Sequence, residues 1–310
     1  MFKIERKILK GKPFFYLTEQ TKIKNKFKKI QVYIGKAIPN DLANVYRELQ
    51  SKEISLVSKN IGSIFKTEKH FSSEQLLELE KLRLSWKYYL ANLSTYEAEI
   101  FWRKFAIQFI YESNAIEGSR LSSNDVQAIL RAQYIKKSIE SKEIIEVNNS
   151  IEALNLVRNK KFILNERSLI GLHKIIVRDL GVKTGFKKNN IVVNNKTTAP
   201  VGEIRIRVSE LIRLWKKQIK SGRHPFLLAL DFHQSFESIH PFADGNGRVG
   251  RLLLNWILLG VGYPPILIRT KNRLAYFNAL SQADEARPRK WYWFAFKTYK
   301  ETLKWILSKS

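Results

Sequence analysis

Residues 227–260 constrain what this chain can fold into more than any other stretch. LLALDFHQSF (227–236) is an apolar run of helical spacing, and RLLLNWILLG (251–260) is another. Between them lies HPFADGNGRVGR (240–251), with Gly245 and Gly247 at the loop-to-helix junction. Glycines there let backbone N–H groups turn toward a ligand. A helix N-terminus adds about half a positive charge and several unpaired donors. The two together make an anion site. Arg248 and Arg251 bring fixed guanidinium charges that suit phosphate oxygens. Asp244 sets a carboxylate beside that site, which suits a Mg²⁺ bridging to phosphates. His240 is the one group in the segment able to act as a base near neutral pH. The residues themselves thus point to phosphoryl or nucleotidyl transfer with His240 as base.

The segment also resembles the signature of the Fic/Doc family, HPF-x-(D/N)-GNGR-x-x-R, at every defining position. The resemblance extends through Leu252-Leu253-Leu254-Asn255 and Gly262-Tyr263-Pro264-Pro265 and covers roughly residues 100–305. It implies a mainly α protein, a Fic-fold helical bundle with a β-hairpin flap, that transfers AMP from ATP to a Ser, Thr or Tyr hydroxyl of a protein target. His240 then resembles the base that deprotonates that hydroxyl, and Asp244 the Mg²⁺ ligand. Gly245, Asn246 and Gly247 resemble the anion hole, Arg248 and Arg251 the phosphate-binding arginines, and Phe242 the buried ring that anchors the loop. The Doc branch, which phosphorylates, carries Lys where this chain has Gly245, so the resemblance favours nucleotidyl transfer.

Three further segments fit it. Ser113-Asn114-Ala115-Ile116-Glu117-Gly118 is similar to the family's inhibitory motif, (S/T)-x-x-x-E-(G/N). Ser113 and Glu117, four apart, share a helix face. Glu117 would pair with Arg251 and obstruct a productive γ-phosphate pose, which makes the chain resemble the self-inhibited class. Thr184-Gly185-Phe186-Lys187 followed by Ile191, Val192 and Val193 resembles the target-docking flap, able to bind an extended target segment by strand addition. It departs at Lys187, where Arg is usual. Tyr276-Phe277 resembles an adenine-stacking pair, and Asp284 stands where Asn is common. Two enzyme readings remain open: AMP transfer, and removal of AMP from a modified protein with Glu117 positioning the attacking water. The resemblance leaves self-modification and a homodimer open as well.

Along the rest of the chain, residues 1–36 read as strands dense in β-branched and aromatic residues, a small antiparallel β module. From about Asp41 the pattern is helical. Helices are expected over 73–91, 94–116, 123–136, 143–158, 166–178, 204–220, 226–239, 248–260, 271–284 and 289–308, with Ser72-Ser73 and Ser122 as cap candidates. Residues 187–200 are polar and β-branched without a 3.6 period, which reads as a hairpin or flap. The expected organisation is a basic N-terminal module over 1–70 and a Fic domain over 71–310. The latter holds the inhibitory helix (about 94–117), the flap (187–201) and the active-site loop (240–251).

Composition narrows the classes. The 310 residues include no cysteine, which excludes disulfides, Fe–S clusters, Cys-ligated zinc and a Cys nucleophile. No apolar run approaches the ~18–20 residues of a membrane span, and the first residues lack the apolar stretch of a signal peptide, so a soluble, cytoplasmic protein with no membrane partner is expected. The net charge is +27 and unevenly placed. Residues 1–40 hold 11 basic and 2 acidic groups, residues 181–223 the same, and residues 71–140 are neutral. A nucleic-acid-binding regulator acting through residues 1–40 is therefore a reading from another class, compatible with catalysis. An acidic protein partner is the other reading of the same charge.

Each sharp reading has a plainer counterpart. A His on an apolar helix is ordinarily a satisfied core residue, and His233 is read so, in preference to a metal cluster with His240 and Asp244. His70, His173 and His224 read as surface or packing residues. Glu117 at a helix C-terminus opposes the helix dipole and needs a compensating partner such as Arg251. Trp291-Tyr292-Trp293-Phe294 reads as core. Basic runs are most often solvated faces.

Overall fold

The computed structural model describes residues 2–24, 26–132, 138–158, 162–193 and 196–308, with backbone alone at Val193 and Lys196. It divides into two compact units, residues 1–94 with 222–224, and residues 95–221 with 225–310.

In the first unit, β1 (Lys3–Leu9), β2 (Lys12–Ile23) and β3 (Lys26–Gly35) form an antiparallel meander in the order β1-β2-β3. Helices α1 (Ala43–Ile64) and α2 (Ser73–Asn92) follow. Alternation along β2 turns Leu17, Glu19, Thr21 and Ile23 inward. There Leu17 and Val32 pack with Leu49 of α1 and Tyr88 of α2. The pocket also buries polar groups. Glu53 accepts from Thr21 Oγ1 (2.8 Å), from Lys87 Nζ (2.9 Å to each oxygen) and from the Tyr88 hydroxyl (2.9 Å). Burial, together with the carboxylates of Glu53 and Glu19, drives the Tyr88 phenol far above its ordinary range. Ser72 caps α2 in a reciprocal capping box with Gln75. The unit boundary thus falls after Ser94 rather than near residue 70. Helix α2 packs on α1 and its Tyr88 completes the core of the β module.

The second unit contains α3 (Thr95–Ile116), α4 (Ser123–Leu130), α5 (Ser141–Arg158), α6 (Glu166–Ile176), the two-stranded hairpin β4 (Val192–Val193) and β5 (Lys196–Thr197), α7 (Ile204–Gln218), α8 (Pro225–Ile239), α9 (Asn246–Gly260), α10 (Arg273–Asp284) and α11 (Arg289–Leu307). Helices α8 and α9 pack on each other. α3, α5 and α6 lie against α9, while α7, α10 and α11 lie against α8. Leu252, Leu253, Leu254, Ile257 and Leu258 are all buried, as expected of a helix apolar on every side. The aromatic run at the start of α11 buries Trp291 and Tyr292, but Trp293 is 40% exposed. Helix α4 ends at Leu130 rather than 136. Residues 133–136 of the expected helix lie outside the described residues, as do Asn194 and Asn195 of the flap. Among the described residues, no helix is long and apolar enough to cross a membrane.

Candidate active site

The loop between α8 and α9 is built by its own side chains. Asn246 accepts from the Phe242 N–H and donates to the Phe242 carbonyl, both at 2.9 Å, closing the turn on itself. Its amide group therefore staples the loop, which leaves its backbone N–H as the group turned to any anion. The Phe242 ring is fully buried, stacked on His173 (centroids 3.9 Å, 5°) with Phe186 on it at 5.9 Å. His173 Nε2 donates to the Asp244 carbonyl at 3.1 Å. Burial depresses the His173 imidazole to about 4, so the ring is neutral. His173 is thus a packing residue, as its sequence suggests, that also ties α6 to the loop.

Gly245 precedes α9 with φ 78°, the left-handed region, and no side chain caps the helix. A Cβ at Gly245 would press on Val177 and Ile176 at 3.1 and 3.3 Å. The α9 N-terminus is left as an uncapped set of donors with Arg248 and Arg251 on the helix behind it. Arg248 reaches Glu146 of α5 (3.2 Å) and Asp244 (3.6 Å). Arg248 Nε and Arg251 Nη1 are buried with no hydrogen-bond partner. Buried orphan donors on two arginines at one helix start are what a bound polyanion would satisfy.

Glu117 stands just past the end of α3, where the Arg273 guanidinium caps the Ile116 carbonyl at 2.7 Å. Its Oε1 accepts from Arg251 Nη2 at 2.7 Å. Arg251 also donates to Ser113 Oγ (3.0 Å) and to the Ser113 carbonyl (2.9 Å). The Glu117 carboxylate lies so close over Gly247 that a Cβ there would collide with it. It therefore sits over the anion-binding turn and holds one of that turn's two cations.

His240 adopts φ 49°, a backbone conformation uncommon outside glycine. Burial holds its imidazole below the usual histidine range, and the Lys187 ammonium adds to this. The Glu237 backbone and the carboxylates of Glu117 and Asp244 oppose that shift. The ring is neutral at neutral pH and can accept a proton. Lys187 is itself buried. Its N–H donates to the Pro241 carbonyl (2.9 Å), its Nζ bonds to Thr198 Oγ1, and burial lowers its pKa. It ties the base of the flap to the loop. Thr198 closes the hairpin by donating from Oγ1 to the Ile191 carbonyl at 2.7 Å. Beyond this base Val192 is 65% exposed and Ile191 half-buried, while the side chain of Val193 lies outside the described residues.

His233 is the satisfied core histidine its helix suggests. Burial depresses it to about 3, so its neutral ring donates from Nδ1 to the Gly250 carbonyl (3.0 Å) and accepts at Nε2 from the Tyr276 hydroxyl (2.8 Å). With both nitrogens engaged it is no metal ligand. Tyr276 is fully buried by the same contact. Of the expected adenine-stacking pair, Phe277, half-buried with the Arg273 guanidinium 5.0 Å above it, is the ring open to a base. Asp284 accepts from Gln234 Nε2 at 2.6 Å. The Asp244 carboxylate is 60% exposed, with Oδ1 accepting from the Gly245 N–H at 2.6 Å and Oδ2 3.6 Å from Arg248, and one exposed carboxylate beside the helix start suits a Mg²⁺, which keeps several waters and takes one or two carboxylates. Among the described residues no three His, Asp or Glu side chains form a metal cage.

His173, Lys187, Glu146 and Glu237 were not singled out by sequence as site residues. Glu237 Oε1 is buried without a partner, in space that a Cβ on Gly250 would fill. Burial pushes this carboxyl up to about 8, with Arg251 opposing and the carboxylates of Glu117 and Asp284 adding.

A buried helix pair presents an uncapped, glycine-led N-terminus beside a left-handed histidine. Residues 163–258 match the model of the Fic/DOC family. Protein adenylyltransferase Fic of Drosophila persimilis is 29% identical over 201 residues, spanning 63% of this chain and 40% of that protein. That of Drosophila melanogaster is also 29% identical over 201 residues, spanning 41% of its length. This chain thus spans about two fifths of the length of the curated relatives it matches. Two solved structures share the fold. A Fic domain containing signaling protein from Bacteroides thetaiotaomicron has a TM-score of 0.67 at 22% identity, covering 75% of this chain and 95% of that one. Fic-1 (residues 134–508) from C. elegans has a TM-score of 0.68 at 18% identity, covering 86% and 84%.

Proposed function

We propose that this chain is a protein adenylyltransferase, transferring AMP from ATP to the hydroxyl of a protein side chain, and that Glu117 holds it in a self-inhibited state. The observation that carries the reading is the convergence, at one helix start, of a neutral His240, the open donors of residues 246–248 and the orphaned nitrogens of Arg248 and Arg251. The names of the curated relatives support the same chemistry.

In this reading the α- and β-phosphates lie on the α9 N-terminus, where preorganised donors stabilise charge as it develops. The target hydroxyl oxygen attacks the α-phosphorus. Its proton passes to His240, the bond to the α,β-bridging oxygen breaks, and pyrophosphate leaves. Asp244 would hold Mg²⁺, which supplies neutralisation of phosphate charge. The flap would hold the target by strand addition along Ile191, Val192 and Val193. Phe277 would stack the base, with Tyr276 supporting it from the core.

The Glu117–Arg251 contact supports inhibition, since the carboxylate takes the guanidinium that a γ-phosphate would need and places like charge beside it. The test is incubation with α-labelled ATP in cell lysate. Glu117→Gly labels a target, or the chain itself, at least tenfold more than the wild type, and adding His240→Ala removes the label. If Glu117→Gly transfers no nucleotide, or the double variant labels equally, the reading fails. The part-exposed Glu117 carboxylate above Gly247 also favours a second activity, hydrolysis of the AMP bond with Glu117 orienting the water. Glu117→Gly would then lose hydrolysis while gaining transfer.

A further inference from the structure

The outer face of the N-terminal sheet is a built surface that the proposed chemistry does not use. The register places Lys3, Glu5 and Lys7 of β1, Phe14, Tyr16, Thr18, Gln20 and Lys22 of β2, and Phe27, Lys29, Gln31 and Tyr33 of β3 on that face. The opposite face carries Leu17, Glu19, Thr21 and Val32 into the helices. Charge is sorted between the faces. Of the two acids in residues 1–40, Glu19 is buried on the helix side, and Glu5 is bonded to Lys29 Nζ at 2.5 Å. Lys3 and Lys22 are exposed on the outer face, and Lys7 stands over the Tyr16 ring at 4.4 Å with its Nζ on Gln31 (3.1 Å). Lys10, Lys12, Lys24 and Lys26 stand exposed at or beside the turns, while Arg6 and Lys28 are exposed on the helix side of the two edge strands.

We propose that this face binds double-stranded DNA in the major groove, independently of the α8–α9 site. The argument is charge complementarity joined to shape. Three strands at about 4.8 Å spacing span about 10 Å between the outer strand axes, against a groove about 12 Å wide. Lys3, Lys7 and Lys22 at the sides and end of the face match the phosphates. Gln20 and Gln31 carry the groups that meet base edges, and Phe27, 66% exposed, offers an apolar ring for a thymine methyl. The rings do not make a stacking platform for single strands. Tyr33 tilts against Phe14 (39°) and Tyr16 (52°), and Lys7 covers Tyr16. An acidic protein would need apolar contacts that this face, polar apart from its rings, supplies sparsely.

The test is fluorescence anisotropy of the full chain with a labelled mixed-sequence duplex of about 20 base pairs, at about 50 to 200 mM salt. Binding weakens steeply with salt. The variant Lys3→Gln/Lys7→Gln/Lys22→Gln lowers the slope of log K against log salt by about 2–3 and weakens binding at least about tenfold. Lys→Arg at the same three positions restores the slope. A control, Lys216→Gln/Lys217→Gln/Lys220→Gln at the end of α7 and just after it, leaves it unchanged. Equal loss in the control, an unchanged slope in the sheet variant, tighter binding of the single strand alone, or stronger binding of a polyglutamate peptide than of the duplex each overturns the proposal. Circular dichroism confirms that each variant is folded. Nucleotide transfer is not read in any arm, so the outcome is separate from the enzymatic reading.

Discussion

His240 sits in the left-handed region, and its imidazole is kept neutral by burial first and by the Lys187 ammonium second. Removing that positive charge lets the imidazolium form more readily, so His240 titrates at higher pH. Lys187→Met, measured by nucleotide transfer against pH in a Glu117→Gly background, shifts the acid limb of the profile upward, while Lys187→Arg leaves it in place. An unmoved limb in the Met variant would show that Lys187 acts only as a tie between loop and flap. Glu237 gives a second test. Unfolded, its carboxyl ionises near the ordinary 4.5, whereas folded it keeps its proton up to about 8. A folded value raised above the unfolded one gives stability fully present below about pH 4.5 and lost as pH rises through about 8. Glu237→Gln, neutral at every pH, should flatten the fall in melting temperature between about pH 5 and 8. Parallel curves for variant and wild type would contradict the buried, protonated carboxyl.

At the scale of elements, the loop and the first turn of α9 act as one piece, because Asn246, His173 and Lys187 tie it at three points. Gly245 is the position where that piece tolerates no side chain. Gly245→Ala puts a Cβ into a left-handed residue, at about 1–2 kcal/mol, and against Ile176 and Val177 as well. The expected result is a loss of stability of at least that size in urea unfolding, with ATP affinity reduced further because the donors of the turn are displaced. Helix α3 is as specific at its end. Ser113 and Glu117 grip Arg251 from one face, while Arg273 caps the Ile116 carbonyl, so the Glu117 carboxylate is aimed by two guanidiniums from α9 and α10.

At the scale of the molecule, the two units hold themselves together differently. The site unit buries Arg248 and Arg251 at the start of α9, whereas the first unit buries a carboxylate in the core beneath its sheet. Glu53 is 2% exposed and bonded to Thr21, Lys87 and Tyr88. Removing one member of such a set leaves the others desolvated, so Glu53→Ala should cost about 3–5 kcal/mol, read by denaturant unfolding of the full chain. A cost under about 1 kcal/mol would mean that water already reaches the cluster.

The candidate site residues could be read as one group from the chain because they are local. His240 to Arg251 are twelve consecutive residues on one turn and one helix start, and Ser113 and Glu117 are one helical turn apart. Spacing along a helix fixes such neighbours without knowledge of the fold. The meander, the flap and the helices of the second unit were legible for the same reason, since periodicity and capping residues act over a few positions. Tertiary structure alone decided what depends on distant pairs. It set His173 against Asp244 across 71 positions, buried Tyr276 beneath His233 across 43, and gave α2 to the N-terminal core. It also set Glu19 on the face opposite Lys3, Lys7, Lys22 and Lys29 of one sheet. An amphipathic pattern says that an element has a face to bury. Which partner covers that face is set by packing across the whole chain, and the burial that follows is what shifts His173, Glu237 and His240 from their ordinary pKa values.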